Sequence, residues 1–493
     1  MKRIFRTSLL STSGRTTTYK ITSAPSLSQS ALQYSRQSSV RRLTTNAPEN
    51  GLKYSPKAAL QSAGVPLNVL IVGAGVAGPA LANLLQRSDV NYNITVVERF
   101  PELRTAGQQI DLKTHGVKVL RKMDLLDSIK SHCVNETGLE VLDTSGKQIA
   151  LFGVSPSSEQ RPGLTSEYEI MRGDAVRVLY DASLEQNSRL KESAKDGRLT
   201  YEFGNSVTDL TQSDDSVHVT FSNGKRRQYD LVVAADGQGS RTRRLAFGQK
   251  TSDEAFKSVG IHGAYYSIPK SEGDGTLAKG VSAPGRRMII TRPSGRAVTQ
   301  VLLYMKDSKQ LAQIYKEPIE KQKEFFTVAY QGAGWETDRI LSGMKTAKDF
   351  YAHELGQIKM KTLHTGRVVL LGDAGYCPTP FTGMGAAGCL VGAYILAGEL
   401  ARHPNNVTKA LEMYEQTVQA PVDEFQTLRG PGLDFFFPSS HLGVWFLRNI
   451  LWAASKLEQI ISQRRSNQPV AEDKKPMKNG GWRLPVYPEL NLD

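Results

Sequence analysis

The chain has 493 residues, of which 39% are apolar, 8% aromatic and 22% charged, a balance that builds two or three packed units and excludes collagen-like, coiled-coil and wholly disordered chains. Its three cysteines, Cys133, Cys377 and Cys389, form no CxxC pair, and no HExxH occurs. Neither a disulfide framework nor a metal site of familiar spacing is expected, and a reducing compartment fits. No uncharged apolar run reaches the ~20 residues that a spanning helix needs.

The formal net charge of +14 is unevenly spread. Residues 1–48 hold Lys2, Arg3, Arg6, Arg15, Lys20, Arg36, Arg41 and Arg42 and no acid, which leaves +6 for the remainder. That is too dilute for a nucleic-acid footprint, and no basic stripe is interleaved with stacking aromatics, so no nucleic-acid partner is expected. Residues 1–60 read as a presequence or a disordered segment. Their Ser/Thr-rich, acid-poor composition resembles a mitochondrial presequence, with Arg41-Arg42-Leu43-Thr44 as a processing site; an untargeted tail on a cytoplasmic protein is the alternative. The apolar stretch around Leu9 is too short for a secretory signal.

Leu67-Asn-Val-Leu-Ile-Val72 predicts a buried strand, and Pro79 to Gln86, with Leu81, Leu84 and Leu85 at helical spacing, predicts a helix. Between them lies Gly73-Ala-Gly75-Val-Ala-Gly78. In such a turn the first glycine permits the tight reversal, the second lets a diphosphate approach the backbone, and the third lets helix and strand pack closely. The helix N-terminus then aims free N–H groups at the anion. Ile94-Thr-Val-Val97 predicts a second strand that ends in Glu98-Arg99. Glu98 is placed to accept hydrogen bonds from a ribose diol, and Arg99 beside it is a further dinucleotide-binding candidate. The fingerprint by itself does not choose between NAD and FAD.

Two later segments bear on that choice. Tyr229 to Arg243 is a strand delivering an Asp236-Gly237 turn. Arg367 to Ala374 is a strand ending in Gly372-Asp373, followed by Pro378-Thr-Pro380-Phe-Thr-Gly383-Met-Gly385 and a helix from about Ala386 to Leu400. With a GxGxxG, a DG and a GD motif in this order, the chain resembles the FAD-dependent aromatic monooxygenases of the para-hydroxybenzoate hydroxylase type from about Leu67 to Leu400. Gly107-Gln-Gln-Ile-Asp111-Leu112 and Glu169-Ile-Met-Arg172-Gly-Asp174 look nearest the tetracycline-inactivating branch.

The resemblance implies an α/β fold: a Rossmann-like FAD-binding domain interwoven with a β-sheet substrate domain, plus a C-terminal helical segment. The FAD-binding parts are expected at 66–128, 163–248 and 363–400, and the substrate-domain parts at 129–162 and 249–362. A helical region at 401–463 and a tail at 464–493 follow. The resemblance also implies that Asp111 and Arg172 contact FAD, that Asp373 holds its ribityl chain, and that Arg104 meets the nicotinamide cofactor, NADPH or NADH. Gly383 and Gly385 would leave the following helix N-terminus open toward the flavin, whose reduced anion a helix dipole stabilises. Simpler roles stay open: Asp111 as cap of a helix from Thr114, Asp174 as cap of a helix Ala175 to Leu184, Arg172 paired with Glu169 or Asp174, and Asp236 shaping its own turn. Relatives often carry Asn two residues after the second loop glycine, where this chain has Ala387. His115 and His364 read as surface or strand-end polarity, and Cys377 as a small buried residue.

The expected reaction is a monooxygenation through a flavin hydroperoxide, consuming NAD(P)H and O2 and acting on an aromatic or polyketide-like small molecule. No protein side chain is assigned as catalytic and no metal is expected, because the cofactor performs the difficult steps. The alternative is an FAD-dependent reductase or dehydrogenase without oxygen insertion. No WxWxIP halogenase motif surrounds Trp335, Trp445, Trp452 or Trp482. Glu140 to Leu151 reads as a hairpin, and Met288 to Thr291 and Val298 to Tyr304 as strands. Tyr265, Tyr266, Met288 and Tyr304 either line a pocket or pack a sheet. His441 to Leu457 reads as an apolar helix buried across two domains, with membrane-surface association as the less favoured alternative. The oligomeric state is not legible.

Overall fold

The strand Leu67–Val72 is an unbroken apolar run from Val69 onward because both its faces are covered there. Val69 and Ile71 face a helical layer that includes Leu81, Leu84 and Leu85, while Leu70 and Val72 face Val217, Val219 and Phe221 of a three-stranded meander. The computed structural model describes residues 66–104, 106–153, 167–192, 198–306, 311–428, 432–466 and 482–492. The presequence reading of residues 1–60 lies outside the described residues.

This first sheet has six strands in the order His364–Thr365, Val368–Leu370, Leu231–Ala234, Leu67–Val72, Tyr92–Glu98 and Arg198–Phe203. All neighbours are parallel except the first pair. Val72, Ala234 and Leu370 lie side by side in register. The GxGxxG, DG and GD turns therefore leave the sheet from one edge, at the carboxyl ends of parallel strands where ligands of such sheets sit. The helices Ala77–Gln86, Arg172–Glu192, Gly385–Arg402 and Val407–Gln426 build the layer on one face.

The second sheet has seven strands in the order Tyr351–Ile358, Phe256–Pro269, Val298–Lys306, Arg287–Pro293, Leu277–Ala283, Gly138–Leu142 and Gln148–Gly153. One face packs on the helices Ile319–Tyr330 and Thr337–Thr346 through Tyr266, Phe326, Tyr330 and Ile340. The other carries Tyr265, Leu302, Tyr304 and Leu355. A two-stranded ribbon, Gln109–Asp111 with Glu169–Met171, lies between the cofactor motifs and the second sheet. The expected α/β architecture is thus present, with chain segments alternating between the two sheets.

Two expectations for the C-terminal region do not hold. The helix His441–Ser466 is not buried across two domains. It packs mainly on the edge strand Gln148–Gly153, and Leu442, Trp445, Phe446 and Trp452 are all more than half exposed. Nor is the end of the chain a loose tail. Within 482–492 Tyr487 and Leu490 are buried; the Tyr487 hydroxyl donates to Glu399 at 2.6 Å and that of Tyr394 to the Pro485 carbonyl at 2.9 Å. Gly398 makes this docking possible, since a Cβ there would stand 2.3 Å from the Tyr487 ring.

Candidate functional site

The glycine turn divides its labour. Gly73 has φ +111°, and a Cβ there would meet the Ala235 carbonyl oxygen at 2.5 Å; a Cβ on Gly78 would meet the Gly73 carbonyl oxygen at 2.0 Å. These two positions are closed to any side chain by backbone. Gly75 is different, because its nearest neighbour is a flexible tip, Arg172 Nη2 at 3.3 Å. Glu98 braces the turn: its carboxylate accepts from Ala74 N–H at 2.9 Å and Phe100 N–H at 3.1 Å. That uses two of about four acceptor positions and leaves the others for a ligand diol.

Arg172 opens the helix Arg172–Glu192, where the sequence suggests a start at Ala175. Its side chain runs past Gly107, whose Cβ would lie 3.1 Å from Arg172 Cδ, and ends over Gly75. It pairs with neither of the acids named as its simpler partners. Glu169 bonds Gln109 and Arg292, and Asp174, within the helix rather than capping it, pairs with Arg296 at 2.5 Å. The Asp373 carboxyl is pushed up by burial and drawn back by Arg172 and by a hydrogen bond from the Cys377 thiol. Cys377 is therefore buried, as expected, and is also a partner of Asp373.

Asp111 does not cap the helix Thr114–Lys122, which follows Lys113 without a side-chain cap. It forms an ion pair with Lys113, and this pair lies against the loop after Asp373, since a Cβ on Gly383 would be 3.0 Å from Lys113 Nζ and 3.5 Å from Asp111 Oδ2. Gly385, at the start of the helix Gly385–Arg402, has nothing within 4 Å of a notional Cβ. Asp236 shapes its turn: one oxygen accepts from the Ser240 hydroxyl at 2.5 Å, the other from Thr242 N–H at 3.1 Å and its hydroxyl at 3.0 Å. Arg99 is exposed and lies 4.9 Å above the Phe100 ring. Arg104 sits 5.1 Å from Phe100 and 5.7 Å from Tyr351, with its pKa lowered first by burial and then by Arg172.

A phosphate-bearing dinucleotide fits these residues. Backbone is bare of side chains at Gly75 and Gly385, two helix N-termini point to the same region, and Arg172 supplies a planar donor set beside them. The model of the FAD binding domain family matches residues 66–424. The FAD-dependent monooxygenase asL6 of Sarocladium schorii is 38% identical over 433 residues, covering 87% of this chain and 99% of the relative. The chain belongs to the FAD-dependent monooxygenases. The flavin-dependent monooxygenase eupH of Phoma sp. is 30% identical and covers 83% of the chain and 96% of its own length. Among solved structures, the tetracycline destructase Tet(51) superposes with a TM-score of 0.63 at 27% identity, over 80% of this chain and 98% of that one.

For a flavin monooxygenase, the face of the second sheet that looks toward the Asp373 loop matters as much as the cofactor motifs. Strand alternation puts Tyr265, Tyr304 and Met288 on this face. Tyr266 turns to the opposite face, where its hydroxyl donates to the Ile340 carbonyl. The rings of Tyr265 and Tyr351 stack at 4.9 Å, those of Tyr265 and His353 lie 5.5 Å apart, and Tyr304 meets Phe381 of the Asp373 loop at 5.4 Å. Tyr351 and His353 have no local sequence signal and are revealed by the pairing of Tyr265 with Tyr351 and of Gly263 with His353, while Phe381 is revealed by its ring contact with Tyr304. A small gap of about 10 Å³, room for a single water, lies beside this wall among Gly107, Gln108, Tyr265, Tyr266, Gln300 and Tyr351.

The same face carries a buried charged cluster that sequence reading also misses. Arg292 donates to both oxygens of Glu136, at 2.7 and 3.0 Å, and to Glu169. Gln109 donates to both acids, and the Gln109 backbone N–H donates to Gln300 at 2.8 Å. The strand that carries Asp111 is thereby pinned to the second sheet. Ala387 has an account here too: a Cβ on Gly116 would lie 2.9 Å from Ala387 Cα. The helices cross too closely at that point for a larger side chain in this direction.

Burial and the neighbouring His262 push the His353 imidazole down to about 4. A folded value below the ordinary 6.5 makes the neutral ring native. Its contribution to stability is whole above about pH 6.5 and is lost as pH falls toward about 4, by at most roughly 3 kcal/mol. Urea unfolding across this window should show that slope, and His353→Phe should flatten it. An unchanged slope would place the acid sensitivity elsewhere.

Proposed function

We propose that this monooxygenase uses NADPH or NADH and O2 to oxygenate an aromatic or polyketide-like small molecule. The observation that carries the reading is the ring-lined face of Tyr265, Tyr304 and Tyr351, in contact through Phe381 with the loop that follows Asp373. Flat, electron-rich substrates gain most from stacking on such a surface. The likeness to a tetracycline destructase, whose named substrate is a fused-ring polyketide, supports the same class.

Bound FAD supplies hydride acceptance and oxygen activation. The chain's residues do the rest. Arg172 and the N–H groups after Gly75 hold the diphosphate, and Glu98, with Arg99 next to it, holds the adenosine side. Asp373 accepts from ribityl hydroxyls, and Asp111 and Lys113 fix the loop of Gly383 and Gly385 from behind. Arg104, held between Phe100 and Tyr351 and close enough to Arg172 to feel its charge, offers a cation to the phosphates of the nicotinamide cofactor. The aromatic wall keeps water away from the reacting face.

Oxygen uptake with NADPH over a phenolic and polyketide panel, followed by product mass measurement, tests the reading. A product heavier by one oxygen is expected; NAD(P)H oxidation that never marks a substrate with oxygen would sink it. Asp373→Ala should weaken FAD affinity roughly tenfold to a hundredfold, the worth of a charge-assisted hydrogen bond. Flavin titration of the apoprotein measures this. Arg104→Ala should raise KM for the nicotinamide cofactor more than it lowers kcat.

We also propose that residues 1–60 direct the protein to mitochondria, on the strength of the eight basic residues without an acid in 1–48. A reporter fused behind this segment should enter mitochondria; an evenly cytoplasmic signal would refute it.

A further inference from the structure

The helix His441–Ser466 has two apolar faces, and among the described residues one of them is covered. Val444, Leu447 and Ser455 point inward at 2–3% exposure. The Ser455 hydroxyl donates to the Leu151 carbonyl at 2.8 Å and accepts from its N–H at 3.2 Å, which fixes the helix on the edge strand Gln148–Gly153. The opposite side bears Leu442, Trp445, Phe446, Trp452, Leu457 and Ile460, exposed by 48 to 78%. Steps of three, four and seven residues align Leu442, Phe446, Ala453, Leu457 and Ile460 in one strip, about 27 Å long at ~1.5 Å per residue.

We propose that this strip seats the protein on an anionic lipid surface, with the helix lying parallel to the bilayer plane. Three observations favour lipid over another protein. Trp445 and Trp452, one heptad apart, form a border of the strip, and Lys456 continues it. Such rings and cations belong at the headgroup level. Lys456 stands exposed beside the strip, the helix sequence closes with Arg464 and Arg465, and its one acid, Glu458, projects away from the strip, so the charge is complementary to anionic headgroups, whereas the Arg448 guanidinium is turned inward against the protein. Finally, Asn449, the polar residue beside the strip, folds back on the helix and donates one of its two amide N–H groups to the Trp445 carbonyl at 2.7 Å, which lessens the polarity it brings to the lipid side. Among the described residues no helix is long and apolar enough to cross a membrane, so the contact is in-plane.

The test uses the full-length holoenzyme, floated with vesicles of phosphatidylcholine alone or mixed with phosphatidylserine. Flotation with the mixed vesicles, weakened by added salt, is expected, together with tryptophan quenching by brominated acyl chains. Phe446→Glu combined with Leu457→Glu should reduce vesicle affinity by roughly tenfold or more, with FAD content and thermal midpoint unchanged. Should that variant fail to fold, Lys456→Glu serves instead, with a loss of roughly tenfold confined to the anionic vesicles. Absence of flotation with anionic vesicles overturns the proposal. So does flotation that the variants leave unaltered, or a holoenzyme dimer without vesicle binding that the double variant converts to monomer, since a second copy would then cover the strip.

Discussion

Gly75→Val is expected to give a folded, colourless protein, whereas Gly78→Val is expected to give little folded protein at all. The two glycines belong to one motif, but their surroundings differ. At Gly78 the added carbon would fall 2.0 Å from the Gly73 carbonyl oxygen, and backbone on both sides of the turn cannot yield without separating the helix Ala77–Gln86 from the strand Leu67–Val72. At Gly75 only the end of Arg172 is near, at 3.3 Å, and that side chain can swing aside. The valine would then occupy the space through which a diphosphate reaches the backbone N–H groups. Circular dichroism reports the fold and flavin absorbance the cofactor. A Gly75→Val protein that retains stoichiometric FAD would remove the diphosphate from this turn.

Arg292→Met is the second large effect. Glu136 and Glu169 have side chains only 1% and 2% exposed, and Arg292 is the cation that both of them meet. Removing it strands two neighbouring carboxylates in a buried site, for which about 3–5 kcal/mol of destabilisation is the ordinary cost. The pH dependence follows from the sign of the shift. Burial already raises Glu136 while Arg292 lowers it, so without the cation the folded-state pKa rises further above its unfolded value. The folded variant then takes up protons more readily than the unfolded chain, and it should regain stability as pH falls through the raised value. Urea unfolding across acidic and neutral pH measures this. Adding Glu136→Gln and Glu169→Gln to the variant should recover most of the loss, because neutral groups of the same shape bury without charge. Since Gln109 belongs to this cluster, FAD affinity should fall with Arg292→Met and return with the triple variant.

The cofactor half of the molecule was legible because its signals are local. A strand, a glycine turn and a helix at Leu67 to Gln86 specify their own geometry over some twenty residues, and Gly372-Asp373 does the same at the end of a buried strand. What could not be read depends on distant partners. Arg292 reaches Glu169 and Glu136 across 123 and 156 residues, and nothing near Arg292 distinguishes it from an exposed strand cation. Tyr265 and Tyr266 are adjacent and alike; register against Tyr351 decides which one faces the Asp373 loop. The place of Glu98 at the end of the second strand is legible, but its grip on the Ala74 N–H is not. The helix from His441 misled because apolar content suggests burial, while among the described residues one of its sides finds a covering strand and the other does not. The segment after Trp482 misled in the opposite sense: its prolines and charges suggest a loose end, and the slot at Gly398 that receives Tyr487 lies 89 residues earlier.

That slot gives one helix two duties. The helix that bears Gly385 beside the cofactor loop carries Gly398 farther along, on the flank where the Tyr487 ring comes to rest, so a bulkier residue at position 398 would evict the ring and strain the same helix that frames the cofactor loop.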